Sequence, residues 1–147
     1  MKLALLLHVV SVVVWVGGMF FAYMALRPVA AGVLEAPQRL TLWAGVFGKF
    51  FPWVWASVAL ILLSGLYLLM LFGASAAQHY VMTMVALGVV MMLIYAHVFF
   101  APYKKLKRAV AEQDWKTGGA ALALIRKLIG INLSLGLLTI VAVYLGR

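Results

Sequence analysis

Apolar residues run along this chain in four long blocks, and polar residues gather between them. The blocks are Leu3 to Leu26, Phe50 to Phe72, Tyr80 to Ala101 and Leu128 to Leu145. Each approaches or exceeds the roughly 20 apolar residues that an α-helix needs to cross a bilayer, the last being the shortest. The pattern predicts an all-α integral membrane four-helix bundle, one transmembrane domain over residues 1–147. The first block is well beyond the apolar core of about 7 to 15 residues in a signal peptide, and no small-x-small cleavage site follows it. It is expected to persist as a helix. No internal repeat stands out.

Turn residues mark the expected helix ends. Arg27-Pro28 follows the first block, Pro52 falls in the first turn of the second, Gly73 closes it, and Pro102 follows the third. The short connection from Gly73 to His79 predicts a hairpin of the second and third helices. The other two connections, 27–49 and 102–127, are longer and read as loops. Within the first, Leu40, Trp43, Phe47 and Phe50 recur at helical spacing opposite Arg39 and Lys49, which predicts an amphipathic helix on the membrane surface running into the second span. In the second, Gly118-Gly119 is expected to break the chain ahead of the helix that enters the fourth span.

Charge orients the bundle. Three cations follow the first block (Arg27, Arg39, Lys49) and seven follow the third (Lys104, Lys105, Lys107, Arg108, Lys116, Arg126, Lys127), against Lys2 and Arg147 on the opposite side. The positive-inside rule then places both long loops in the cytoplasm and both termini in the periplasm of a bacterial inner membrane. The formal net charge of +9 follows from this topology and from contact with anionic membrane lipid. Nucleic acid is not an expected partner, because the chain is too short to add a folded basic surface. With 67% hydrophobic residues and a mean hydropathy of +1.13, a soluble globule is excluded.

The chemistry that remains is narrow. No cysteine is present, so disulfides, iron–sulfur clusters, thiolate metal sites and covalently attached c-type haem are excluded. The three carboxylates Glu35, Glu112 and Asp114 all lie in the cytoplasmic connections, which removes paired-carboxylate hydrolysis. Nucleophile elbows, Walker loops and dinucleotide fingerprints are missing as well.

His8 is the leading candidate, a titratable imidazole inside the first span. Ionisable groups at membrane depth are costly and usually face a cofactor, a cavity or a pathway. Ser11, Trp15, Gly18 and Ala22 follow it at helical spacing and define an inward face. A structural histidine bonding a neighbouring helix is the alternative. His79 lies in the same leaflet on the third helix, so His8 and His79 are geometrically allowed as the two axial ligands of one b-type haem. A solvated residue at a helix start is the alternative for His79. His97 lies eighteen residues further on, five turns along the same helix face and about 27 Å away, too far to share that metal. It reads equally as an interfacial hydrogen-bonding residue or a functional one. A second metal site there would need Met24, a tyrosine or another protomer, which leaves room for a homodimer. The methionines read mostly as packing, but Met82 and Met84 lie just inside His79 and offer thioethers as alternative ligands.

Leu7-His8, Trp15 seven residues later, Gly17-Gly18-Met19-Phe20 and Arg27-Pro28 together resemble the first helix shared by the CopD-like copper-resistance membrane domain and the bacterial b-haem protoporphyrinogen oxidases. Tyr95-Ala96-His97 ahead of Lys104-Lys105-Leu106-Lys107 is similar to the matching helix of the oxidases. The oxidase resemblance implies that His8 binds haem together with a lysine early in the third helix. This chain has Met82, Met84 and Ala86 in that region and no lysine. Three functions are therefore expected in order. The first is a haem b membrane protein, a haem-dependent oxidoreductase or electron-transfer protein acting on a quinol or a porphyrinogen-like substrate, with His8, Ser11, Trp15 and His79 at the cofactor. The second is a copper-binding or copper-transporting membrane protein without catalysis. The third is a structural membrane subunit, suggested by the small-residue faces from Ser57 to Ser64-Gly65 and from Gly130 to Gly136.

Overall fold

A computed structural model describes residues 1–73 and 78–146. The chain is all helical there, with no strand among the described residues. The elements are α1 (Lys2–Phe21), a π-helical turn (Ala22–Leu26), α2 (Arg27–Val33), α3 (Ala36–Phe72), α4 (His79–Phe100), α5 (Pro102–Ala111) and α6 (Trp115–Leu145). Four helical runs, Lys2–Val33, Ala36–Phe72, His79–Ala111 and Trp115–Leu145, are long and apolar enough to cross a membrane. The connection expected between Gly73 and His79 lies largely outside the described residues, as does Arg147.

The helices outlast the apolar blocks that predicted them. Every run exceeds 30 residues, whereas about 20 cross the hydrocarbon, and the surplus falls at the same end of the bundle each time. The segments 27–49 and 102–127, expected as loops, are helical apart from short turns. Arg27-Pro28 does not end the first helix. Pro28 lacks an N–H and its ring crowds the carbonyl four residues back. The π turn immediately before it loosens that spacing, and the helix continues to Val33. Gly118-Gly119 is not a break either. The break is at Glu112–Asp114, where Gln113 takes a positive φ of 56° and Asp114 caps α6 by accepting from the Thr117 amide at 3.2 Å. Gly118 is instead buried inside α6, where a Cβ would stand 3.3 Å from Leu40 Cδ1 and 3.4 Å from Ala109 Cβ. It lets α3 and α5 approach.

The amphipathic stretch of the first connection does run into the second span, as the first half of α3. Its apolar side is covered by protein. Leu40, Trp43, Phe47 and Phe51 are all buried, with Phe47 stacked on Phe51 at 4.9 Å between centroids and Tyr103 edge-on to Phe51 at 4.8 Å. A helix whose apolar stripe is already filled by α5 and α6 has none left to lay on lipid.

α1 packs along α3, and α4 along α6. Aromatic rings span the middle: Trp15 lies edge-on to Tyr95 at 6.1 Å, and Trp55 to Tyr95 at 5.0 Å. Two hydrogen bonds tie the buried helix faces, from Tyr95 Oη to the Phe51 carbonyl at 3.1 Å and from Asn132 Nδ2 to the Met91 carbonyl at 3.2 Å. Towards the His8 end, large apolar side chains such as Leu3, Leu6, Leu63, Leu66 and Met70 stay uncovered, as a lipid-facing surface requires.

Candidate functional site

His8 lies half-buried on α1, turned toward the second half of α3. Glycine makes this approach cheap: a Cβ at Gly65 would meet His8 Cε1 at 3.4 Å. One turn of hydrogen bonding then orders the ring. His8 Nδ1 stands 3.0 Å from Ser64 Oγ, and Ser64, itself buried, donates its hydroxyl proton back to the Leu60 carbonyl on its own helix. A serine hydroxyl has a single proton. With that proton committed to Leu60, Ser64 Oγ accepts from Nδ1–H. Nδ1 is thereby the donor to Ser64, so that in the neutral ring the proton sits on Nδ1 and the Nε2 lone pair is left to bind a metal or a proton.

The other sequence candidates are dispersed. Ser11 is buried one turn along α1, and Trp15 belongs to the aromatic core beside Tyr95. His79 is exposed at the first residue of α4, where its carbonyl accepts from Thr83 Oγ1 at 2.9 Å. Met82 is exposed and Met84 half-buried on the same helix. His97 is exposed near the opposite end of α4, its carbonyl bonded to the Ala101 amide at 3.0 Å. The side-chain partner of His8 is thus on α3, not α4. Among the described residues no group of three or more His, Cys, Asp or Glu side chains comes together to hold a metal. Soft donors available to complement an imidazole are therefore methionine thioethers.

Two buried polar residues carry no site signal in the sequence, Ser64 at His8 and Asn132 in the core. Ser64 figures there only as part of a small-residue face, although a serine beside a glycine in a span also marks a polar group able to meet a close neighbour. Asn132 had no role there. It is buried in α6 beside a small cavity walled by Trp15, Phe51 and Tyr95, and its Oδ1 has no hydrogen-bond partner among the described residues.

The family of copper resistance protein D (CopD) matches residues 44–145, from the first half of α3 to the end of α6. The matched part includes Ser64, Gly65, His79 and His97, whereas His8 precedes it. No curated protein and no solved structure matches the chain. A match over more than half of the residues, on four helices able to span a membrane, makes this chain a multi-pass membrane protein of the copper resistance protein D family.

Proposed function

We propose that the protein handles copper as cargo, taking the ion from the His8 side of the membrane and passing it inward without redox catalysis. Family membership carries this reading and favours copper, the alternative of the sequence analysis, over its leading haem b reading. The donor set is compatible. A neutral imidazole with a free Nε2 is a good copper ligand, and thioethers are the soft partners that suit Cu(I). With no cysteine and no cluster of hard ligands among the described residues, a weak site of few donors fits transient passage better than permanent storage. In this reading His8 is the first ligand, His79, Met82 and Met84 on α4 are separate donors on the same side of the membrane, and both termini face the periplasm of a bacterial inner membrane.

The test is Cu(I) uptake into proteoliposomes holding a trapped copper indicator, combined with the visible spectrum of the same preparation after reduction. Uptake above that of empty liposomes, about tenfold slower or worse for His8→Ala, is expected, because removing one good ligand of a weak site is worth at least a tenfold affinity change. Stoichiometric b-haem bands in the reduced spectrum, with no copper uptake, would overturn the proposal and return the oxidoreductase reading.

A further inference from the structure

At the basic end of the bundle, α2 and the π turn before it, the start of α3 and the first half of α6 enclose a cavity of about 290 Å³. Arginines from three separate segments line it: Arg27, Arg39 and Arg126. No acidic side chain is in the lining. Topology alone asks for cations on this side of the membrane, not for cations that converge. The lysines of α5 show the unfocused case, for Lys104, Lys105 and Lys107 are all exposed and outside the cavity.

Two of the arginines are built in. Arg27 is half-buried, donates Nε–H to the Tyr23 carbonyl at 3.1 Å and lies 4.3 Å above the Tyr23 ring. Tyr23 is seated in turn against Gly130, where a Cβ would stand 2.9 Å from its ring. Arg39, also half-buried, donates from Nη1 to the Leu34 carbonyl at 3.3 Å. The first residues of α3 and α6, Ala36 and Trp115, also line the cavity. Three like charges around one cavity repel one another, and an anion between them relieves that repulsion. Guanidinium forks suit a phosphate or carboxylate, which they bind through paired hydrogen bonds.

The remaining wall is aromatic and aliphatic, with Trp43 and Trp115 prominent. A free inorganic anion has no use for such a wall. An amphiphile does, and the cavity lies where the apolar blocks give way to the basic segments, the level of lipid head groups. Its volume is at the lower end for a small-molecule site, enough for a head group and the first part of a chain. We propose that this cavity is a binding site for an anionic amphiphile, a phospholipid of the adjoining leaflet, with its head group among Arg27, Arg39 and Arg126 and its chain along Trp43 and Trp115.

The experiment is native mass spectrometry and thermal unfolding of the full chain in nonionic detergent, with phosphatidylglycerol, phosphatidylcholine or inorganic phosphate added at equal concentration. Phosphatidylglycerol is expected to stay bound and raise the melting temperature, while the other two do neither. Replacing Arg27, Arg39 and Arg126 together by glutamine should weaken phosphatidylglycerol binding by well over about tenfold, since each charge-assisted bond lost is worth about that factor. The charge-matched variant Lys104→Gln, Lys105→Gln, Lys107→Gln should bind as the wild type does. Equal binding of phosphatidylcholine, an equal loss in the lysine variant, or an equal thermal shift from inorganic phosphate alone would each overturn the proposal. If the triple arginine variant does not fold, Arg126→Gln decides. Arg126 is exposed, so that variant should fold, and wild-type affinity in it would also overturn the assignment.

Discussion

Ser64→Ala tests whether the His8 tautomer matters to ligation. The substitution deletes the oxygen that accepts His8 Nδ1–H at 3.0 Å and leaves the ring, its depth and its Nε2 in place. Losing a hydrogen bond of this kind costs about 0.5–1.5 kcal/mol of stability. Part is returned, because alanine is the better helix former by roughly half a kcal/mol, so net stability should fall by about 1 kcal/mol or less. Metal affinity responds more strongly. Outer partners that orient a ligating histidine contribute about 10–100-fold, which is about 1.4–2.8 kcal/mol, because without the acceptor the proton redistributes between the two ring nitrogens and the ring turns. The assay is Cu(I) titration in detergent against a competing chromophoric chelator, with thermal unfolding run in parallel on wild type, Ser64→Ala, His8→Ala and Ser134→Ala. The last removes an exposed hydroxyl that bonds only its own helix, at the Gly130 carbonyl, and should leave affinity unchanged. Wild-type affinity in Ser64→Ala beside lost affinity in His8→Ala would refute the tautomer argument while sparing His8 as a ligand.

Gly18→Ala should lower the melting temperature, with a loss of about 1–3 kcal/mol typical of overpacking, because a Cβ there would overlap the Phe50 ring across the α1–α3 contact; an unchanged melting temperature would mean that the ring has room to swing away. Asp114 gives a pH-dependent prediction at the start of α6. Hydrogen bonds from the Thr117 side chain and amide hold its carboxyl below the usual carboxylate range. A depressed folded-state pKa means that the cap contributes above the ordinary carboxylate pKa and is lost as the pH falls through the lowered value. The protection factors of the amides in the first turn of α6, that is, exchange corrected for its intrinsic pH dependence, should therefore fall on acidification in the wild type and stay level in Asp114→Asn, which caps without titrating. The same acid response in both would refute the link.

The membrane class and the four spans were legible in the sequence because bilayer thickness is a fixed ruler, and an apolar run can be measured against it in one dimension. The basic flanks were legible for the same reason. Helix ends were not. Pro28 and Gly118 carry the usual marks of a break, yet a π turn accommodates the first and close packing of Leu40 and Ala109 employs the second. The apolar stripe of Leu40, Trp43 and Phe47 was visible, but its periodicity could not say whether lipid or protein covers it, and α5 and α6 do. At the candidate site the sequence singled out His8 by its depth alone. Its partner stands 56 residues away, and two residues on different helices meet only if both helices are rotated to face one another, a quantity set by the packing of all the helices together. For that reason equal depth paired His8 with His79 on paper, whereas the structure turns His8 to Ser64. The arginines were counted for topology and no further. That Arg27, Arg39 and Arg126 surround one cavity is a consequence of α2, α3 and α6 arriving at the same place, which only the tertiary structure decides.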